Sequence, residues 1–300
     1  MTSAVEGIKT INPDLEFLVV PVTVVILAVL FIFQFKGTHK IGTIFGPVMI
    51  LWFFVIGFMG VSQVIQNPES LVALNPMYAV GFIQAHAFQT LFVMSSVILA
   101  VTGAEALYSD LGHFGKGPIR FGWYALAGLA LPLNYFGQGA LLLRDPSTKG
   151  NTFFGMADAG VPALLLLLLT TFATIIASQA LISAVASLAS QAVQLGFLPR
   201  IRIQHTNRQE RGQIYVPFVN AAVGLGAIGL VLFFKSSSAL AGAYSLSIAG
   251  TMLVSTIGLI ILAVSKWKSR KFILLPIFSI FLILDLSLLI ASSTLSLIHI

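Results

Sequence analysis

The 300-residue sequence contains no cysteine, and only 9% of it is charged. Without cysteine there are no disulfides, thiolate metal sites or cysteine nucleophiles, and the redox compartment stays unspecified. The scarcity of charge excludes an ordinary soluble domain, in which about a quarter of the residues are charged. Hydrophobic residues make up 57% of the chain, so the bilayer is the expected solvent and spanning segments, rather than soluble domains, are what to count. Acidic residues are the rarer sign, 10 against 16 basic and a formal charge of +6. The basic residues fall in short clusters between apolar runs rather than on a face or in a tail, which argues for membrane topology and against a nucleic-acid partner.

A spanning helix needs about 20 mostly apolar residues. Intervals free of Asp, Glu, Lys and Arg predict helices near 17–35, 43–65, 87–108, 121–143, 161–195, 214–234, 239–264 and 272–290. Pro47, Pro132, Pro162 and Pro217 are read as kinks, which membrane helices tolerate. The expected fold is thus an all-α polytopic membrane protein of about eight helices, a single transmembrane domain over residues 1–300.

Loop charge tests this count, because cytoplasmic loops carry excess Lys and Arg. One side collects Lys36, Lys40, Lys116, Arg120, Arg200, Arg202, Arg208, Arg211, Lys266, Lys268, Arg270 and Lys271, twelve of the sixteen basic residues. The other holds Lys9, Arg144, Lys149 and Lys235, together with Asp14, Glu16, Glu69, Asp145 and Asp158. The loops near 36–42, 109–120, 196–213 and 265–271 are therefore read as cytoplasmic. Met1 to Glu16 is polar and mixed, with none of the features of a secretory signal, and the chain reads like an internal fragment.

Two acidic residues, Glu105 and Asp285, fall inside apolar stretches, where a carboxylate is costly and marks a functional hypothesis. Thr102, Glu105 and Tyr108 recur every three residues and would share a helical face. Gly103 weakens the helix there, and broken helices free carbonyls that join side-chain oxygens around a cation. The competing reading makes Glu105 a helix-end carboxylate near water. For Asp285, a structural carboxyl hydrogen-bonded to a neighbouring helix stands beside a proton-coupling role.

The stripe Ser178, Gln179, Ser183 and Ser187 reads as helix packing more than as an ion pathway. Asn134-Tyr135-Phe136-Gly137-Gln138-Gly139 is polar and glycine-rich within an apolar span, and packing and a cavity lining are left open. Gly224-Leu225-Gly226-Ala227-Ile228-Gly229 matches a dinucleotide fingerprint by letters alone, with no preceding strand, and its glycines, like Gly42 and Gly46, are read as points of close helix approach. The histidines His39, His86, His113 and His205 have no zinc-like spacing. No Ser and His pair or metal-ligand spacing lies within the spans, so no enzymatic activity and no cofactor are expected.

The run Gly103-Ala104-Glu105-Ala106-Leu107-Tyr108-Ser109-Asp110-Leu111-Gly112-His113-Phe114-Gly115-Lys116 resembles the signature of the KUP/HAK/KT family of potassium uptake transporters. Agreement extends to Leu74-Asn75-Pro76-Met77-Tyr78-Ala79-Val80, to Leu133–Leu142, to Ala177-Ser178-Gln179-Ala180 and to Gly212–Asn220, in order along essentially the whole chain. The resemblance implies a core of the LeuT/APC inverted-repeat type in a bacterial inner membrane, moving potassium inward with protons. It implies a potassium site at Thr102 and Glu105 of a broken helix and at Tyr244, with Glu105 and Asp285 as proton groups. Potassium, protons and lipid are the implied partners, and a homodimer stays open. A related amino acid or polyamine permease and a non-transporting fragment are the alternatives. Departures are also present. Residues 1–11 look like the end of the family's third helix, the helices before it are missing, and Ser245 and Ala249 stand where the family more often has Gly and Thr.

Overall fold

The computed structural model describes residues 1–36, 39–102, 115–205, 214–266 and 271–299. Among them, seven helices are long and apolar enough to cross a membrane: Pro13–Phe33, Ile44–Gln66, Lys116–Arg144, Val161–Gln194, Pro217–Phe234, Ser237–Ser265 and Phe272–Ser293. Each coincides with one of the predicted spans. The eighth, predicted over 87–108, differs. Its helix is Ala87–Val101, 15 residues, because Thr102 leaves the helical region with ψ 164°. At 1.5 Å per residue that is about 22 Å, short of the roughly 30 Å hydrocarbon core. The chain clusters into two compact units, residues 1–74 with 103–233, and residues 75–102 with 234–300.

The first unit begins with two single turns, α1 (Thr2–Val5) and α2 (Ile8–Ile11), followed by a 3-10 stretch over Pro13–Leu18 that Asn12 caps by accepting from the Asp14 amide. Next come α3 (Val19–Phe33), a 3-10 turn Gln34–Lys36, and α4 (His39–Gln66). The span Lys116–Arg144 is composite, with α7 (Lys116–Gly122), a π-helical turn over Trp123–Ala127, and α8 (Gly128–Arg144). The amide of Gly128 donates to the Trp123 carbonyl, closing the wider turn, and a Cβ on Gly128 would lie 2.8 Å from that carbonyl oxygen. Asp145 caps the next 3-10 turn by accepting from the Ser147 amide at 3.0 Å and hydroxyl at 2.6 Å. The Ser147 hydroxyl, then its amide, hold the Asp145 carboxyl below its ordinary value. After a further turn α9 (Thr152–Gly155) comes α10 (Val161–Gln194).

The predicted helix at 214–234 starts later than expected. Ile214–Tyr215 forms a two-residue strand, β2, antiparallel to β1 (Gln204–His205), with Gln204 opposite Tyr215, and α11 runs from Pro217 to Phe234. Pro217 has no amide to donate, so it suits a first helical position better than an interior one.

Packing in this unit centres on backbone approach. A Cβ on Gly137 of α8 would lie 2.5 Å from the Gly60 Cα of α4, and one on Gly60 would meet the Leu133 carbonyl and lie 2.7 Å from the Asn134 nitrogen. Only two glycines at that crossing allow it. Phe154, Leu166 and Leu167 form a buried cluster flanked by Trp52, Met59 and Phe153, and the Phe154 ring occupies the space beside Gly7. Outward-facing Phe54, Phe58, Leu165, Phe172, Leu225 and Phe233 are exposed, as expected where lipid is the solvent.

The second unit comprises α5 (Pro76–Ala85), α6 (Ala87–Val101), α12 (Ser237–Ser265) and α13 (Lys271–His299). Asn75 accepts from the Met77 amide and Pro76 opens α5, an N-terminal signature legible in the Asn-Pro pair. Gly242, Ala249, Thr256 and Ala263 of α12 are all buried and recur every seven residues. That period is the seam of a left-handed pair, and the small side chains allow close packing. α13 supplies the facing residues Asp285, Leu288, Ala291 and Ser292, all buried. Met94 of α6 packs against the Ala249 and Leu288 cluster.

Candidate cation site

The helix break lies at Thr102. Its backbone is extended, and its hydroxyl donates to the Leu99 carbonyl at 2.8 Å. Leu99 lies in the last turn of α6, whose carbonyls have no intrahelical partner, so Thr102 satisfies one of them from its own side chain. The expectation that Thr102, Glu105 and Tyr108 share one continuous helical face is corrected at its first member, because the helix stops before Gly103. Glu105 and Tyr108 lie outside the described residues.

Asp285 is buried in the α12–α13 seam, and its Oδ2 accepts from the Thr256 hydroxyl at 2.6 Å. A carboxyl group in hydrocarbon needs a donor, and Thr256 supplies one without adding charge. Seven residues on from Asp285, Ser292 hydrogen-bonds Ser245 at 2.7 Å, both fully buried. Two polar contacts therefore pin the same seam, with Ala249 and Leu288 between them. Tyr244 is on α12 beside Ser245, half exposed at 45%, and engaged in an interaction of its own. Thr102, Tyr244 and Asp285 thus belong to the same compact unit.

Thr256 is the residue that sequence reasoning missed. Its signal was the seven-residue recurrence of small residues along α12, which places Thr256 on the buried face. Ser245 and Ala249, the departures from the family pattern, occupy that face too.

The polar glycine stripe on α8 turns out to be packing. Asn134 is buried, donates from Nδ2 to the Ile56 carbonyl at 3.1 Å, and accepts from Gln138 Nε2 at 2.8 Å. Asn67 reaches the Ala140 carbonyl at 3.4 Å, and Arg144 bonds Gln66, extending the same α4–α8 seam. On α10, Gln179 and Ser187 are buried while Ser178 and Ser183 are partly so, which places that stripe inward. Of the glycines near 224–229, only Gly224 is closely approached, by the Phe31 ring, whereas Gly226 and Gly229 have open space.

Residues 1–298 match the model of the K+ potassium transporter integral membrane domain. The chain belongs to this potassium transporter family. It is 48% identical over 288 residues to the "Probable potassium transport system protein Kup 2" of Syntrophobacter fumaroxidans, covering 95% of this chain and 44% of that protein. To the "Probable potassium transport system protein Kup 1" of Rhodopseudomonas palustris it is 45% identical over 283 residues, 94% of this chain and 46% of the relative. The "Probable potassium transport system protein Kup" of Chlorobium phaeobacteroides is 48% identical over 294 residues, 97% and 46%. The chain thus spans a little under half the length of these relatives. No solved structure matches it. The family is one of membrane transporters rather than enzymes, and the seven apolar helices among the described residues agree with a multi-pass inner-membrane protein.

Proposed function

We propose that this chain forms part of a potassium uptake transporter that uses protons as the coupling ion, on a core of the LeuT/APC inverted-repeat type. The observation that carries the site is the extended backbone at Thr102 ending an apolar helix. Non-helical backbone at membrane depth is tolerated where it is buried in protein or lines a cavity, and such breaks present carbonyls to a cation. In this reading Thr102, Glu105 and Tyr244 supply oxygens to potassium, a large ion well matched to hydroxyls, carbonyls and one carboxylate. Asp285, paired only with a neutral hydroxyl among its described hydrogen bonds, takes up and releases the coupled proton, in company with Glu105.

The test is rubidium uptake in cells lacking their own potassium importers and expressing the protein in full-length form. Glu105→Gln and Tyr244→Phe are expected to reduce uptake at unchanged membrane abundance, and Asp285→Asn to flatten its dependence on external pH. Uptake that survives Glu105→Gln removes that residue from the cation site. Uptake of an amino acid or polyamine that potassium does not compete with overturns the assignment of substrate.

A further inference from the structure

Four amide oxygens among the described residues of the first unit are buried without a hydrogen-bond partner, those of Gln34, Gln63, Gln179 and Asn220, and two of these residues, Gln34 and Asn220, line one small cavity. Gln34, in the turn that follows α3, is 8% exposed with Oε1 unpaired, and Asn220, in the first turn of α11, has an unpaired Oδ1. Both line a cavity of about 10 Å³ whose other walls include Ile182, Val185, Tyr215 and Val219. Asn220 cannot relieve its oxygen by turning over. Its Nδ2 donates to the Phe31 carbonyl at 3.0 Å, and a flip would set two acceptors against each other. Phe31 and Gln34 are three residues apart and share the face of the chain that meets α11.

An occupant must offer positive charge or hydrogen-bond donors to two neutral oxygens. A bare monovalent cation would exchange its hydration shell for two amides and hydrocarbon walls, a poor substitute for the ring of oxygens that such ions require. A water molecule has two donors for two acceptors, and the cavity has the volume of one. We propose that a single ordered water binds between Gln34 Oε1 and Asn220 Oδ1. Asn220 then holds the end of α3 twice, directly at Phe31 and through the water at Gln34.

The experiment is a structure of the full-length protein in lipid nanodiscs, at a resolution that shows ordered water, in potassium and again after exchange into thallium. One peak within hydrogen-bonding distance of both oxygens, unchanged by thallium, is expected, with loss of that peak in Gln34→Met. The wild-type maps decide the matter even if that variant does not fold. An empty cavity, a direct Gln34 Nε2 to Asn220 Oδ1 bond, a peak that persists in Gln34→Met, or a peak that strengthens in thallium would each overturn the proposal.

Discussion

Replacing glycine by alanine on α8 is expected to have opposite effects at two positions only two residues apart. At Gly137 the new methyl carbon would lie 2.5 Å from the Gly60 Cα, whereas ordinary contact begins at 3.4 Å, so the two helices must separate by about 0.9 Å. A gap of that size forfeits about a quarter to a half of the dispersion energy of each contact it opens. It also stretches the Asn134 to Ile56 bond, now 3.1 Å, to roughly 4 Å, beyond hydrogen-bonding range. Overpacking of this kind costs about 1–3 kcal/mol, and the upper half applies here because backbone, not a flexible side chain, must yield. At Gly139 an added Cβ meets nothing within 4 Å, and the helix gains about 0.5–1 kcal/mol from the lost flexibility of glycine. The measurement is thermal unfolding in detergent, followed by tryptophan fluorescence, of Gly60→Ala, Gly137→Ala, Gly139→Ala and the Gly60→Ala/Gly137→Ala pair. The first two are expected to melt below the parent and Gly139→Ala at or above it. The pair should cost less than the sum, since one separation accommodates both methyls. Equal midpoints for Gly137→Ala and Gly139→Ala would refute the backbone contact.

Asn134→Leu removes one interhelical hydrogen bond and leaves Gln138 without its acceptor, which should cost about 1 kcal/mol in the same unfolding assay. Thr256→Val strands the buried Asp285 carboxyl and is expected to destabilise by about 1–3 kcal/mol, with much of the loss recovered in Thr256→Val/Asp285→Leu. A titration of Asp145 by NMR should give a value below the ordinary 3.8, moving up towards it in Ser147→Ala. Because the folded value is the depressed one, the stabilisation from this cap is complete above the unfolded value and is lost as pH falls through the folded one.

The spans were legible because hydrocarbon solvent imposes a single requirement, about twenty uncharged residues, and the chain punctuates those runs with Lys, Arg, Asp and Glu. Faces were harder to read. Asn134 looked equally suited to a cavity or a seam, since polarity alone does not say which neighbour its amide meets, and only the Ile56 carbonyl decides. The strand at Ile214–Tyr215 was hidden by an apolar run that continues unbroken into α11. The break at Thr102 was signalled by Gly103, yet hydropathy carried the predicted helix on to 108 because Ala104, Ala106 and Leu107 are apolar. Asp285 stood out by charge, whereas Thr256, its partner, is an ordinary residue in a lipid span and only its seven-residue spacing marks it.

The π turn at Trp123–Ala127 has a rotational consequence. One residue beyond the ordinary helical count turns everything on one side of it by about 100° relative to the other. The faces of α7 and α8 therefore differ in bearing, and Arg120 cannot be placed by extending the stripe on which Asn134 and Gly137 lie. Deleting one residue from the turn would let the span wind as plain α-helix and swing Arg120 through the same angle, so the turn sets which way the basic end of this helix faces.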